Sequence, residues 1–250
     1  MSKQKRWSRI IESCKSRDHL SVDELVDILH VSPATVRRDL QQMEDLNMIT
    51  RYHGGAKISG SQYDEPSMII KSEANTAQKR QIAYLAAKQI RNNQMIYIDA
   101  GSTTYEMINY ISVKNITVVT PGIPHLSILG KREIPTIVLG GAFRYSTEAV
   151  TGAQAAKQLE EMYFDIAFIG TNAIHEQIGF TTSNEMEAAT KNMAIQRSKV
   201  SYILADSSKF NMLCPVKFAN LDDAIILSDS IGDFDKEKIR YILTDGTTNI

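Results

Sequence analysis

Cysteine, tryptophan and proline are scarce in this chain: two, one and six among 250 residues. Cys14 and Cys214 lie far apart, with no Cys/His spacing of a zinc site, which argues against a disulfide scaffold and points to a reducing compartment. No metal or cofactor is expected. Any uninterrupted apolar run near the roughly 18 residues of a membrane span is also missing. The basic start MSKQKRWSR is followed by no apolar segment, so a secretory leader is not expected either, and a soluble, cytoplasmic protein is. Charge of one sign is lacking too: 28 Lys and Arg stand against 29 Asp and Glu, a net charge of −1. That excludes a polybasic coat, and any affinity for a polyanion must come from a local patch. What is present, 43% hydrophobic and 23% charged residues without repeats or low-complexity tracts, is globular composition with length for one small and one larger domain.

The balance of charge changes sign near residue 58. Met1–Lys57 holds 10 Lys and Arg against 8 Asp and Glu, the remainder 18 against 21. Within the basic part, VSPATVRRDL (31–40) marks a helix start, with Ser32 as N-cap and Pro33 at the first helical position, where a missing N–H is harmless. Val36, Leu40 and Met43 recur at helical spacing and face inward, leaving Thr35, Arg37, Arg38, Gln41 and Gln42 outward. A helix that offers a hydroxyl, guanidinium groups and amides from its first turns suits a DNA major groove, although alone it would also pass for a solvated surface helix. Its neighbours decide between the two. Ser21 and Glu24 have capping-box spacing at the head of an apolar stripe, Val22, Leu25, Val26, Ile28 and Leu29. Only His30 and Val31 separate the two helices, the spacing of a helix-turn-helix. Trp7, Ile10 and Ile11 fit a first helix packed on these two, with Trp7 in the core. Downstream, MITRYHGGAKI (48–58) alternates around His53, Gly54 and Gly55 as a small hairpin or wing, whose Arg51, His53 and Lys57 would lie along phosphates.

These segments, SPATVRRDL followed by LNMITRYHGGA, resemble the N-terminal winged helix-turn-helix of the DeoR family of bacterial transcriptional regulators. The resemblance implies that Arg37 and Arg38 contact DNA, supported by Ser32, Thr35 and Arg51. Asp39 is read instead as an intradomain partner for an arginine.

Residues 59–73, rich in Ser and polar residues, read as a linker, placing domains at 1–58 and 76–250 with residues 59–75 between them. A helix is predicted over 76–90. Strand-length apolar runs then follow at 95–98, 116–119, 134–139, 166–169, 202–204 and 224–227. Helix-like segments occupy 104–111, 123–129, 153–161, 184–197 and 235–242. Continuous apolar strands separated by helices predict an α/β domain with a mostly parallel sheet buried on both faces.

In such a sheet ligands bind beyond the carboxyl ends of the strands. After the first run comes DAGSTT: Asp99, then Gly101 for close backbone approach, then Ser102, Thr103 and Thr104 at a helix start, a chemistry suited to phosphate. The same residues would also serve an ordinary capped turn. The loop is no P-loop, since the Gly-Lys-Ser/Thr ending is absent. Thr120, Pro121 and Gly122 follow the second run, Gly140 and Gly141 the third, Gly170, Thr171 and Asn172 the fourth, and Asp206 to Lys209 the fifth. Lys209 is a cation placed either to pair with an anion or simply to be solvated. Arg144 and Gly152 flank the third loop.

This second part, from about Gln78 to Asp229, resembles the sensor domain of the same family, which is similar in fold to ribose-5-phosphate isomerase and glucosamine-6-phosphate isomerase. DAGSTT, VVTPG, VLGG, FDIAFIG and ADSSKF carry the match. It implies a pocket for a phosphorylated sugar formed by Asp99, Gly101, Ser102, Thr103, Thr104 and Lys209, with Thr120, Gly140, Gly141 and Asn172 around it. Two departures, Pro121 after Thr120 and Asn172 where an Asp is common, fall where the sugar part would sit.

An isomerase of this fold would need carboxylates poised to move protons at sugar carbons. Asn172 cannot be a base, and Glu187 and Lys191, four apart on a helix, read as an exposed i,i+4 pair. His125 and His175 read as rim or turn residues. The expectation is therefore not an enzyme but a repressor of a sugar catabolic operon. It would act as a dimer or tetramer, since one short helix buries too little for tight binding to double-stranded operator DNA. An enzyme with a nucleic-acid tether and a DNA-binding scaffold with an empty pocket are the alternatives.

Overall fold

The computed structural model describes residues 3–15, 20–45, 49–52, 55–58 and 67–250. They fall into two compact units, Met1–Ala74 and Asn75–Ile250. The first runs α1 (Lys3–Lys15), β1 (Leu20–Ser21), α2 (Val22–Leu29), α3 (Pro33–Asp45), β2 (Ile49–Tyr52), β3 (Gly55–Ile58) and α4 (Met68–Glu73). Strand β3 is central in an antiparallel sheet of order β1-β3-β2. The β2–β3 register pairs Tyr52 with Gly55 and Ile49 with Ile58. Trp7, Ile10, Leu20, Leu25, Leu29, Val36, Leu40, Met43, Ile49 and Ala56 meet in one core, to which nearly every element contributes because each is apolar on one side.

Local chemistry fixes the helix-turn-helix. The Ser21 hydroxyl accepts from the Glu24 N–H at 3.2 Å while the Glu24 carboxylate accepts from the Ser21 N–H at 2.8 Å, so the capping box is closed from both sides. Helix α2 ends at His30, left-handed at φ 53° and ψ 45°, whose N–H reaches the Val26 carbonyl at 2.8 Å. Part of the expected linker is structured. Residues 68–73 form α4, which buries Met68 and sets Ile70 against the first unit's core. Ile70 and Met68 sit two apart in a polar segment, too few to show a period.

The second unit opens with α5 (Thr76–Ala87), β4 (Met95–Ile98), α6 (Ser102–Ile108), β5 (Thr117–Thr120), α7 (Ile123–Lys131) and β6 (Thr136–Val138). It continues through β7 (Ala142–Arg144), β8 (Ala149–Thr151), α8 (Ala153–Glu160), β9 (Phe164–Gly170), β10 (Ala173–His175), β11 (Gly179–Thr182), α9 (Glu185–Gln196) and β12 (Ser198–Leu204). It ends with β13 (Val216–Ala219), β14 (Ile225–Ser228), β15 (Arg240–Leu243) and β16 (Thr248–Asn249). All six apolar runs of the sequence are strands of one eight-stranded sheet, of order β16-β15-β14-β12-β9-β4-β5-β6. Every pair is parallel except β15–β16.

Both faces of this sheet are covered, because alternate residues of each strand point to opposite sides. Ile96, Ile98, Phe168 and Leu227 join Ile82, Met107 and Leu129 of α5, α6 and α7. Tyr97, Ile169, Ile203 and Ile226 join Leu159 of α8, Ala194 of α9, and Phe180 and Phe218 of a small sheet, β10-β11-β13. One expected helix is corrected. In 235–242 the Asp235 carboxylate caps a single 3-10 turn, Lys236–Lys238, and the chain then extends as β15, with Tyr241 and Ile242 buried on opposite faces. From β4 the chain steps to β5 and β6 on one side, whereas β9, its other neighbour, leads to β12 and β14. The order therefore reverses between β4 and β9, the place where such sheets leave an open crevice.

Candidate functional site

In the first unit, α3 divides as its sequence spacing demands. Val36, Leu40 and Met43 are fully buried, while Arg37, Arg38 and Gln41 are exposed. The two guanidinium groups therefore stand on a braced helix with their long stems free to reach phosphate or guanine. Ser32 is exposed and Thr35 half-buried. The Ser32 oxygen accepts from the Thr35 N–H at 3.3 Å and lies 2.9 Å from the Thr35 hydroxyl, so the cap predicted for this helix is made. Asp39 turns inward and takes two bonds from Arg6 of α1, at 2.6 and 3.1 Å, which is the arginine partner the sequence suggested. Arg51 falls on β2, but its side chain lies outside what is described, and His53 lies outside the described residues altogether.

In the second unit the expected ligand residues separate into two sets. Asp99, Ser102 and Thr103 at the end of β4, Asn172 after β9 and Lys209 after β12 lie at three adjacent strand ends. Ser102, Asn172 and Lys209 are half-buried, and Thr103 is 8% exposed. Lys209 closes a 3-10 turn, Ser207–Lys209, capped by Asp206, which also accepts from the Asn75 amide at 2.9 Å. The Asn172 oxygen accepts from the Thr182 hydroxyl at 3.3 Å.

The other set is occupied with holding the fold. Thr104 is fully buried, its hydroxyl 2.6 Å from the Asp99 carbonyl and 3.0 Å from that of Gly101; it shapes the loop instead of facing a ligand. Thr120, also fully buried, accepts from the Gly122 N–H at 3.1 Å. The N–H and carbonyl of Gly140 are both taken by the Gln158 amide, at 3.1 and 3.0 Å. Gly141 sits at φ 154°, where an added Cβ would lie 2.7 Å from the Thr151 carbonyl, so glycine is required there by the β7–β8 hairpin.

Two further expectations change. Glu187 and Lys191 are buried, and do not form an exposed pair with each other. Lys191 Nζ donates to Asp99 Oδ2 and, at 3.0 Å, to the Gly170 carbonyl; Asp99 Oδ2 also accepts from the Gly170 N–H at 3.0 Å. Glu187 accepts from the Thr147 hydroxyl at 2.8 Å and lies 3.8 Å from Arg144 Nε beside the third loop. His125 is no rim residue. Its ring is fully buried, 5.6 Å from Tyr105 edge-on and 3.5 Å from the Thr104 hydroxyl, and burial pushes its pKa down to about 4. A Cβ on Gly122 would fall 2.2 Å from the same ring. His175 does sit at a turn, accepting from the Gln177 N–H at 3.3 Å. A signal for Lys191 existed in the sequence. Glu187, Lys191 and Ala194 share one helical stripe with Ala188, and a stripe containing alanines faces a neighbour. Burial also holds the Tyr97 phenol well above its ordinary range, beside Asp99.

Among the described residues no group of three or more metal-binding side chains is gathered, and no helix is long and apolar enough to cross a membrane. Residues 6–62 match the DeoR-like helix-turn-helix domain and residues 74–230 the DeoR C-terminal sensor domain. The chain belongs to the DeoR family. It is a DNA-binding transcriptional regulator with a sensor domain, and not an enzyme. The HTH-type transcriptional regulator FruR of Bacillus subtilis (strain 168), described as uncharacterized, is 37% identical over 224 residues, covering 89% of each chain. A lactose phosphotransferase system repressor of Staphylococcus epidermidis is 32% identical over 248 residues, covering 96% of this regulator and 97% of the repressor. Ribose 5-phosphate isomerase A from Neisseria gonorrhoeae overlaps 55% of this chain and 54% of its own, at a TM-score of 0.40 and 18% identity.

Proposed function

We propose that this DeoR-family regulator is a cytoplasmic repressor of a sugar catabolic operon, released from or tightened on its operator by a phosphorylated sugar. The observation that carries the reading is the convergence of Asp99, Ser102, Thr103, Asn172 and Lys209 on three neighbouring strand ends beside the switch point of the sheet. Hydroxyls, a glycine turn at Gly101 and a lysine suit a phosphate, and an amide suits sugar hydroxyls. The relative named for repression of a lactose phosphotransferase system supports the sugar. On the other unit, Arg37 and Arg38 grip operator DNA with Ser32, Thr35, Arg51 and His53 in support, and the chain works as a homodimer or tetramer so that two helices read paired half-sites.

Sugar and DNA are linked by a coupling free energy that acts equally in both directions. The test is fluorescence anisotropy of the full chain on DNA from upstream of its own and neighbouring genes, at fixed salt, with a panel of hexose and pentose phosphates added. At least one panel member should shift the operator Kd, and Thr103→Asp should remove that shift by setting a carboxylate where phosphate is held. No shift with any of them, or an undiminished shift in Thr103→Asp, sinks the reading.

A further inference from the structure

An ion pair is buried at the place where the strand order reverses. Lys191 and Asp99 keep only 6% and 5% of their side chains exposed. Asp99 ends β4, Gly170 ends β9, and Lys191 reaches them from α9 on one face of the sheet, whereas the glycine loop enters α6 on the other. Burying such a pair contributes little to stability, since well-packed apolar residues of the same volume do as well or better. Its placement is thus the informative feature: a ligand at the switch point meets these two side chains.

We propose that Lys191 is an effector-binding residue that donates to a neutral oxygen, hydroxyl or carbonyl, of the sugar part of the ligand, with Asp99 beside it accepting from a sugar hydroxyl. The inference rests on the proposed sugar phosphate site and adds a division of the ligand within it. A phosphate brought to Lys191 would lie against the Asp99 carboxylate, which already occupies that ammonium, and two anions around one buried cation repel. A polyol has no such conflict, because it offers a donor to Asp99 and an acceptor to Lys191. The phosphate is left to the Ser102–Thr103 turn and Lys209, and the crevice under α9 reads the carbon skeleton. Lys191 then discriminates sugars, whereas the glycine loop recognises any phosphate monoester.

Calorimetric titration of the full chain tests this, with fructose 1-phosphate, fructose 6-phosphate, glucose 6-phosphate, galactose 6-phosphate and, separately, inorganic phosphate. Lys191→Met should weaken the sugar phosphate that the wild type binds by roughly 30-fold, the loss expected for a charge-assisted hydrogen bond. It should leave inorganic phosphate within about twofold, and Lys191→Arg should recover part of the loss. Because Lys191→Met alone strands a buried carboxylate, the double variant Asp99→Asn/Lys191→Met is the control for folding. It should melt cooperatively near the wild type and still discriminate against the sugar phosphate as Lys191→Met does. Sugar phosphate and inorganic phosphate weakening together, or neither weakening, overturns the assignment and leaves the sensor site standing. If no panel sugar phosphate binds the wild type, the site itself is refuted and the role of Lys191 with it.

Discussion

Each unit buries an ion pair, and the two do different work. Arg6–Asp39 joins α1 to α3 with a planar, two-point contact at 2.6 and 3.1 Å. The Arg6 side chain is 15% exposed, and the partner helix presents Arg37 and Arg38 to solvent. Lys191–Asp99 joins α9 to the end of β4 through a single ammonium that also holds Gly170. A fork-shaped contact resists rotation, so the first pair fixes the angle of a helix that must stay rigid to read DNA. A point charge on a flexible stem exchanges partners easily, and the second pair lies at the strand end beside the switch point of the sheet. The same buried chemistry thus takes a two-point form in one unit and a single-point form in the other.

The largest expected effect breaks the first pair on one side. Arg6→Ala leaves Asp39 buried and uncompensated, and should destabilise the first unit by about 3 kcal/mol, read as an earlier denaturant transition of the full chain. Replacing both partners, Arg6→Met with Asp39→Leu, should restore most of that stability. If it does so without restoring operator affinity, the geometric role of the pair is separated from its energetic one.

Acid sharpens the comparison from the sensor side. The folded pKa of His125, about 4, lies below the ordinary 6.5 of the unfolded chain. Above pH 6.5 the ring is neutral in both states and contributes nothing to pH dependence. As pH falls from 6.5 towards 4 the unfolded chain takes up a proton that the folded one excludes, so about 3 kcal/mol is lost over that window. Chemical denaturation between pH 7 and 4.5 should show the sensor transition weakening while His125→Gln flattens it. A flat wild-type profile would mean that the ring is not buried neutral.

The smallest effects concern the cations of α3. Arg38→Ala should cost about 1–3 kcal/mol of operator binding if the group reads a base, and lower the salt slope by about one if it meets phosphate. Arg37→Ala compared with it across a salt series assigns the two roles. An operator affinity unchanged in both variants at matched salt would detach α3 from DNA recognition.

Much of this arrangement was readable in the amino-acid order, and the reasons are specific. Ser21–Glu24, Ser32–Pro33 and the Val36, Leu40, Met43 stripe are local signals, complete within a few residues. Five of the six predicted strands are largely apolar and buried because helices cover both faces, so those runs marked themselves, whereas the edge strand β6 leaves Ile137 and Val138 exposed. Strand β11 did not: Thr181 and Thr182 are fully buried polar residues, satisfied by distant partners such as the Ala173 carbonyl and the Cys214 N–H. Nothing adjacent in sequence announces that. The helical stripe hinted that Lys191 is buried, but not what it meets, since its counter-ion lies 92 positions away. Thr104 and Thr120 were legible as hydroxyls near the loop but not as hydroxyls already spent on backbone groups.

Helix α9 carries one more consequence. Glu187 and Lys191 leave it one turn apart, the former tied to Thr147 and Arg144 on the β7–β8 hairpin, the latter to Asp99 and Gly170 at the ends of β4 and β9. One turn of this twelve-residue helix rises only about 5.4 Å, so a single regular element spans both contacts. That hairpin shows Phe143 and Tyr145 to solvent. One helix thus links the buried end of β4 to two oily side chains on the outside of the molecule.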